Sequence, residues 1–296
     1  MKSYEDLTFV DDFMFCKILT EYPQLCRELL QIIIGKKVGD FVSIDKQKPI
    51  EITTDGKGIR FDVYIEDDTK TVYDIEMQTT LPNNAGHALA KRCRYYQGMI
   101  NFFSVRKPLT TLVVRGGITD LNTIQRGDDY TKLNNSYIIF ILLKDPFKNG
   151  LAKYTFQKCC LETPTLYLDD GTTEIFLNAS SRADDVTKEL KDFLQFIAGR
   201  KPSNRFTHQL NDCVNEAKAH RKWRTEFMTL QMKLLEQKEE GREEGRTDGI
   251  ASLCSLIVTG KITIDEAVEA AKSCGIQNKV DFLNKAAQAG YVLKVN

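Results

Sequence analysis

One stretch constrains this chain more than any other: Arg60-Phe61-Asp62-Val63-Tyr64-Ile65, then Thr71-Val72-Tyr73-Asp74-Ile75-Glu76-Met77-Gln78. Both halves alternate polar and apolar residues, which is the period of a half-buried strand. Between them Glu66-Asp67-Asp68-Thr69-Lys70 is polar and suits a turn. A hairpin whose turn is centred on Thr69 puts Asp62 opposite Glu76. Cross-strand Cβ atoms lie about 4.5–5.5 Å apart. Two carboxylates that close repel unless something positive sits between them. Asp74 and Gln78 share the face of Glu76, and Phe61, Val63, Ile65, Tyr73, Ile75 and Met77 are expected on the other face, anchoring the hairpin on a core.

An Asp on one strand and E-x-Q on the next can hold a hard divalent cation. Mg²⁺ prefers oxygen ligands and is commonly held by one or two carboxylates. Asp62 and Glu76 would supply these, with the backbone carbonyl of Met77 as a third oxygen. Such a metal lowers the pKa of a bound water and polarises a phosphoryl oxygen, the chemistry of phosphodiester hydrolysis. Gln78 could orient the attacking water but carries no charge. On spacing alone the same face also reads as a solvated acidic surface.

Upstream, Asp11 or Asp12 can cap a helix running through Thr20, and Pro23 and Gly35 suit the start and end of a second. Leu25, Leu29, Ile32 and Ile33 form the apolar stripe of that second helix. Glu28 flanks it, either as a surface acid or as a carboxylate leaning over the hairpin. A short strand is expected at Phe41 to Ile44.

Downstream of Leu81-Pro82-Asn83-Asn84, residues 87–103 read as a helix with Leu89, Arg92, Tyr96, Met99 and Phe103 on one stripe. Lys91, Arg92 and Arg94 interleave with Tyr95 and Tyr96, a mixture able to grip phosphates and stack on bases. The alternative is a helix whose aromatics face the sheet and whose cations face water. Thr110 to Arg115 and Ser136 to Leu143 read as central strands covered on both faces. Lys153 to Leu161 and Glu174 to Leu177 are further strands around a turn at Asp169-Asp170-Gly171, and a helix is expected over 183–198.

After Asn204 the chain reads as one long helix to Lys238, then a charged helix or linker with E-E-G-R twice, then short helices. A coiled-coil contact between copies is a weaker reading of this tail, since glycines interrupt it. Thr263 and Glu266 form a capping box. The expected domains are 1–203, then 204–249 as helix and linker, then 250–296 as a small helical region.

Lys plus Arg and Asp plus Glu both number 41, so no global charge draws the chain to nucleic acid. Any such surface would be local. Eight Cys occur without a C-x-x-C pair and with three His, which argues against a zinc site and for reduced thiols. The N-terminus lacks an apolar leader, and no apolar run approaches the roughly 18 residues of a membrane span. A soluble, cytoplasmic protein is expected.

The order of these elements, a helix, Asp on a strand, I-E-M-Q on the next, then a helix with R-x-R-Y-Y-Q at Arg92 to Gln97, resembles the PD-(D/E)XK nuclease superfamily. More narrowly it looks like the recombination-promoting nuclease and transposase family. Asp11-Asp12-Phe13-Met14-Phe15, Arg60 to Val63 with Tyr73 to Gln78, and Arg92 to Tyr96 carry the resemblance, over roughly residues 5–200. It implies an α/β fold: a restriction-endonuclease-like core, a mixed central sheet flanked by helices. It also implies Mg²⁺- or Mn²⁺-dependent DNA cleavage associated with recombination or mobile elements. Asp62 matches the family's first metal-binding aspartate and Glu76 its second acid. Gln78 stands where the wider superfamily usually has lysine, so slow or Mn²⁺-requiring activity is expected. Gln97 lies where related folds place a helix residue near the site. Glu28, with Asp12 as second choice, is the candidate acid from the first helices. Competing expectations are an inactive nuclease-fold protein that binds DNA or acts as a scaffold, and a platform for an interacting tail, which truncation at about residue 204 would separate.

Overall fold

A computed structural model of the chain describes residues 2–50, 59–81, 84–103, 129–272 and 275–293. The expected strand at Thr110 to Arg115 lies outside them. Two compact units emerge, Met1–Arg221 and Lys222–Asn296.

The first unit opens with α1 (Asp12–Glu21) and α2 (Pro23–Ile34). Pro23 starts α2, where a missing N–H costs nothing, and Gly35 ends it at φ 79°, in the left-handed region glycine enters freely. Leu25, Leu29, Leu30 and Ile33 are buried. Three antiparallel strands follow, β1 (Phe41–Ile50), β2 (Ile59–Asp67) and β3 (Thr71–Gln78). β1 extends well past the short strand expected at Phe41 to Ile44. The β2–β3 register runs Val63↔Ile75, Tyr64↔Asp74, Ile65↔Tyr73 and Glu66↔Val72, as a turn centred on Thr69 dictates. Asp67 builds that turn. Its carboxylate accepts from the amides of Thr69 and Thr71 and from the hydroxyls of Thr69 and Tyr73.

α3 (Ala85–Phe103) and β4 (Asn135–Leu142) come next. β4 runs parallel to β3 and to β6 (Thr172–Asn178), and β5 (Lys153–Phe156) pairs antiparallel on the outer side of β6. The sheet order is β1-β2-β3-β4-β6-β5. This is a mixed six-stranded sheet with helices packed on it, the α/β architecture expected. β4 is central and buried on both faces, which is why its sequence is nearly continuously apolar. Ile138, Phe140 and Leu142 join Leu89, Cys93, Tyr96 and Met99 of α3 in one core. Ile139 and Ile141, equally buried, alternate to the opposite face.

α4 (Lys188–Ile197) starts later than the sequence pattern suggested, because Thr187 caps it by accepting from the Leu190 amide. Its apolar stripe is the expected Leu190, Phe193, Leu194 and Ile197. α5 (Arg205–Ala219) corrects two boundaries. It belongs to the first unit, which therefore runs to Arg221 rather than 203. It also ends at His220, whose extended backbone (ψ 103°) interrupts the single helix expected over 206–238.

In the second unit α6 (Arg221–Val258) is continuous through Gly241 and Gly245, so no linker separates the charged repeat from the residues after 250. α7 (Ile264–Ala271) carries the expected capping box from Thr263 and Glu266, and α8 (Lys279–Gln288) starts at Asn278. Ile250, Cys254, Ala267, Ala271, Ile276, Phe282 and Ala286 form this unit's own core. Among the described residues, no helix is long and apolar enough to cross a membrane. Among the described residues, the cysteines from Cys16 to Cys254 are free thiols.

Candidate active site

The β2–β3 ladder ends at Val63↔Ile75, and the carboxylates begin one step beyond it. There, side chains replace backbone pairing. The Asp62 amide donates to Glu76 Oε1 at 3.1 Å, and the Met77 amide donates to Asp62 Oδ2 at 3.1 Å. Asp62 and Glu76 are thus brought together as expected, but by reciprocal side chain–backbone bonds. The reason is visible in Phe61. It was expected to face the core opposite the acids. Instead its ring packs 5.4 Å from that of Tyr64 and 5.0 Å from that of Tyr96 on α3. Residues three apart cannot share a face of a regular strand, so β2 leaves its pleat between them, at Asp62.

From the other side α1 contributes Asp12. Ligand atoms of Asp12, Cys16 and Asp62 lie within 4.8 Å of one another, and the Cys16 thiol donates to Asp12 Oδ1 at 3.4 Å. Asp12 and Cys16 are one helical turn apart, so the pair follows from spacing. Glu28, the first-choice helix acid, is elsewhere. It pairs with Arg205 of α5 at the surface of the first unit. Gln97 is also apart from the acids. It accepts from the Ser136 hydroxyl at 2.8 Å and donates to Asn101 at 3.0 Å. Ser136 pairs with Val72, at the far end of β3 from Gln78.

Across from Asp62 sits Arg92. Its guanidinium pairs with Glu76 Oε2, donates to Gln78 Oε1 at 3.1 Å and to the Tyr96 hydroxyl at 2.7 Å. It lies over the rings of Tyr96 and Phe140, 4.8 and 5.1 Å from their centroids. The Gln78 amide is engaged at both ends, since its Nε2 donates to the Thr80 carbonyl at 2.9 Å. In this arrangement Gln78 positions Arg92 and does not present a free amide to a water. Arg92 was expected among surface cations. Its place on the stripe with Leu89 and Tyr96 was the signal that it faces the sheet. Lys91, Arg94 and Tyr95 do lie on the exposed side, and Tyr96 is buried.

Asp74 is a third carboxyl that sequence reasoning placed on this face without a role. It is fully buried and no donor reaches either oxygen. Burial and the charges of Glu76 and Asp62 hold it well above the carboxylate range, which favours its neutral form. Burial, then Asp12, pushes Asp62 up to about 6. Burial, then Asp62, pushes Glu76 up to about 7, with Arg92 opposing. Burial, then Asp12 and Asp62, also push up the Cys16 thiol.

These shifts have a sign. A carboxyl whose pKa is raised on folding holds more protons in the folded than in the unfolded state between its two pKa values. The resulting stability is full below about 4 and is lost as pH rises through 6 for Asp62 and 7 for Glu76. Asp62→Asn removes part of this dependence. Its thermal midpoint should equal the wild type's near pH 4 and exceed it increasingly up to pH 7, in chelator. A constant difference across that range would show that Asp62 is not strained by its neighbours.

No family model matches this chain, and no curated protein or solved structure does either. The reading of the site therefore stands on its geometry.

Beside the carboxylates runs a groove of about 530 Å³ lined by Ile59, Arg60, Ala88, Lys91, Arg92, Tyr95 and Tyr96. Three cations and a Tyr95 ring that is 43% exposed face one trough. Cations of this kind suit phosphates, and an exposed ring suits a base.

Proposed function

We propose that this chain is a metal-dependent DNA endonuclease with a restriction-endonuclease-like core. The observation that carries the reading is the break between β2 and β3. There Asp62 and Glu76 are held side by side, with Asp12 reaching in from α1 and a basic, aromatic groove alongside. The element order helix, β2 with Asp62, β3 with Glu76, α3, β4 agrees with the PD-(D/E)XK resemblance.

The residues fit a hard divalent cation. Four acids, Asp12, Asp62, Asp74 and Glu76, lie close together, burial strains the last three, and Asp74 has no donor at either oxygen. Asp62 and Glu76 would hold Mg²⁺ or Mn²⁺, with the Met77 carbonyl and Asp12 as further oxygens. Asp12, Cys16 and Asp62 offer two carboxylates and a single thiol, a donor set poorer in sulfur and imidazole than zinc sites use. When bound, the metal supplies an acidified water and charge for the phosphoryl oxygens. The chain's own residues do the rest. Lys91 lines the groove where a phosphate backbone would lie, Arg94 is exposed on the same helix, and Tyr95 offers a ring for a base to stack on. A role in recombination or mobile elements rests on the resemblance alone, and a contact between copies rests on the charged pattern of the helical tail.

A second reading, a nuclease-fold protein that binds DNA without cutting it, is favoured by one observation: Arg92 already neutralises Glu76 while Gln78 supplies no charge. Incubating the purified chain with supercoiled plasmid in Mg²⁺, Mn²⁺ or chelator separates the two. Nicking or linearisation only with metal is expected. In the same samples Lys91→Ala with Arg94→Ala should weaken binding and lower the salt slope by about 0.9 per lost phosphate contact. Salt-sensitive binding with no metal-stimulated cutting of single-stranded, duplex or plasmid DNA would select the second reading.

A further inference from the structure

Both oxygens of Glu76 are occupied in this structure. Oε1 accepts from the Asp62 amide and Oε2 pairs with Arg92. A cation held through Glu76 Oε2 must share or take the oxygen that Arg92 holds, and one held through Oε1 must share it with the Asp62 amide. Arg92, however, is not tethered by Glu76 alone. Its Nε is fixed by Tyr96, its Nη1 by Gln78, and its plane lies over Tyr96 and Phe140. Losing Glu76 would leave the guanidinium in place, charged, and with one edge open. Arg92 also lines the groove, together with Arg60, Lys91 and Tyr95. A guanidinium fork matches phosphate as well as carboxylate.

We propose that Arg92 is an exchangeable counter-ion: it neutralises Glu76 when no metal is bound and turns to the phosphodiester when one is. This rests on the endonuclease reading above and adds to it a coupling. Metal and phosphate backbone bind cooperatively because the metal frees the cation that the phosphate needs. Reciprocity then requires that DNA tighten metal binding by the same factor. It also gives Gln78 a positive reason to be neutral. A lysine there would repel Arg92, whereas an amide oxygen holds it.

The test measures Mn²⁺ affinity from the free-ion electron paramagnetic resonance signal, with the full chain, in wild type, Arg92→Met and Arg92→Lys. Met keeps the stem's packing and removes the charge. Without DNA, Arg92→Met should bind Mn²⁺ about tenfold tighter than wild type, as loss of a competing charge at contact predicts. Adding a phosphorothioate duplex should tighten Mn²⁺ binding in wild type and leave Arg92→Met unchanged. A residue that only supports the site would give weaker metal binding on removal, the opposite direction. Equal or weaker Mn²⁺ binding by a folded Arg92→Met, or equal tightening by DNA in both proteins, overturns the exchange. If Arg92→Met does not fold, Arg92→Lys decides. It keeps the charge but not the fork, so Mn²⁺ affinity without DNA should stay near wild type while the duplex tightens it less than in wild type, and tightening by DNA equal to wild type's overturns the proposal. Absence of Mn²⁺ binding in all three proteins would instead defeat the endonuclease reading itself.

Discussion

Asp62→Asn is expected to lower metal-dependent cleavage by at least about a thousandfold while leaving the protein folded. Two properties of the site make this substitution informative. Asn keeps an oxygen for the Met77 amide, which donates to Asp62 at 3.1 Å, so the β2–β3 junction survives. It removes a negative charge from a place where burial and Asp12 oppose that charge. Stability at pH 7 without metal should rise by about 1–2 kcal/mol, a figure reduced from the full linkage value because Asp62 is only partly buried. Glu76→Gln should cost as much activity but not stabilise. The Glu76 carboxylate accepts from both the Asp62 amide and Arg92, and an amide has one oxygen for the two donors. Thermal melts and plasmid cleavage on the same preparations check both statements. Persisting cleavage in both variants would mean that the chemistry lies elsewhere.

The hairpin was legible because period-2 patterning and a polar turn jointly fix its register, and the four observed pairs follow from those alone. β4 was legible for a related reason, since a run of apolar residues from Tyr137 to Leu142 admits only a strand covered twice. What failed did so at places where local pattern and tertiary contact disagree. Phe61 obeys alternation in sequence but leaves the pleat to meet Tyr96. Glu28 has the spacing of a helix acid near the site, yet Arg205 lies nearer in space, and sequence distance conceals that. Asp12 was the weaker choice on paper because nothing in the first helix says which turn faces β2. Arg92 was seen as a basic residue among basic residues. Its partner Glu76 becomes apparent only when α3 is laid across β3, because the pairing depends on the crossing and not on either segment.

The boundary after residue 203 is where sequence and structure differ most, and it yields the largest expected effect on stability. A fragment ending at 203 should not fold, whereas one ending at 221 should. α5 looks like the start of a charged, solvated tail, with Arg205, His208, Asp212, Glu216 and Lys218 on it. Yet it buries Phe206, Leu210, Val214 and Ala217 against the first unit. Phe206 packs 6.1 Å from Phe193 of α4, Asn204 bonds Asp192 at 3.1 Å, and the Tyr4 hydroxyl donates to the Ala217 carbonyl at 2.7 Å. Tyr4 thereby ties the first residues of the chain to the last turn of this unit. Burying each large apolar side chain contributes about 1.5–3 kcal/mol. Losing several of them together approaches the whole stability of a domain, about 5–15 kcal/mol. The cut would also bare Phe193 and Leu194, which invites aggregation. A fragment ending at 221 keeps every one of these contacts and severs the chain after His220 has already broken the helix. Circular dichroism melts of fragments 1–203 and 1–221 provide the comparison, with plasmid cleavage as a second readout on any fragment that folds. A cooperative transition for 1–203 close to that of the full chain would show that α5 is an appendage. A folded 1–221 that still cuts DNA would place the tail outside the chemistry, and one that folds but no longer cuts would make the second unit part of it.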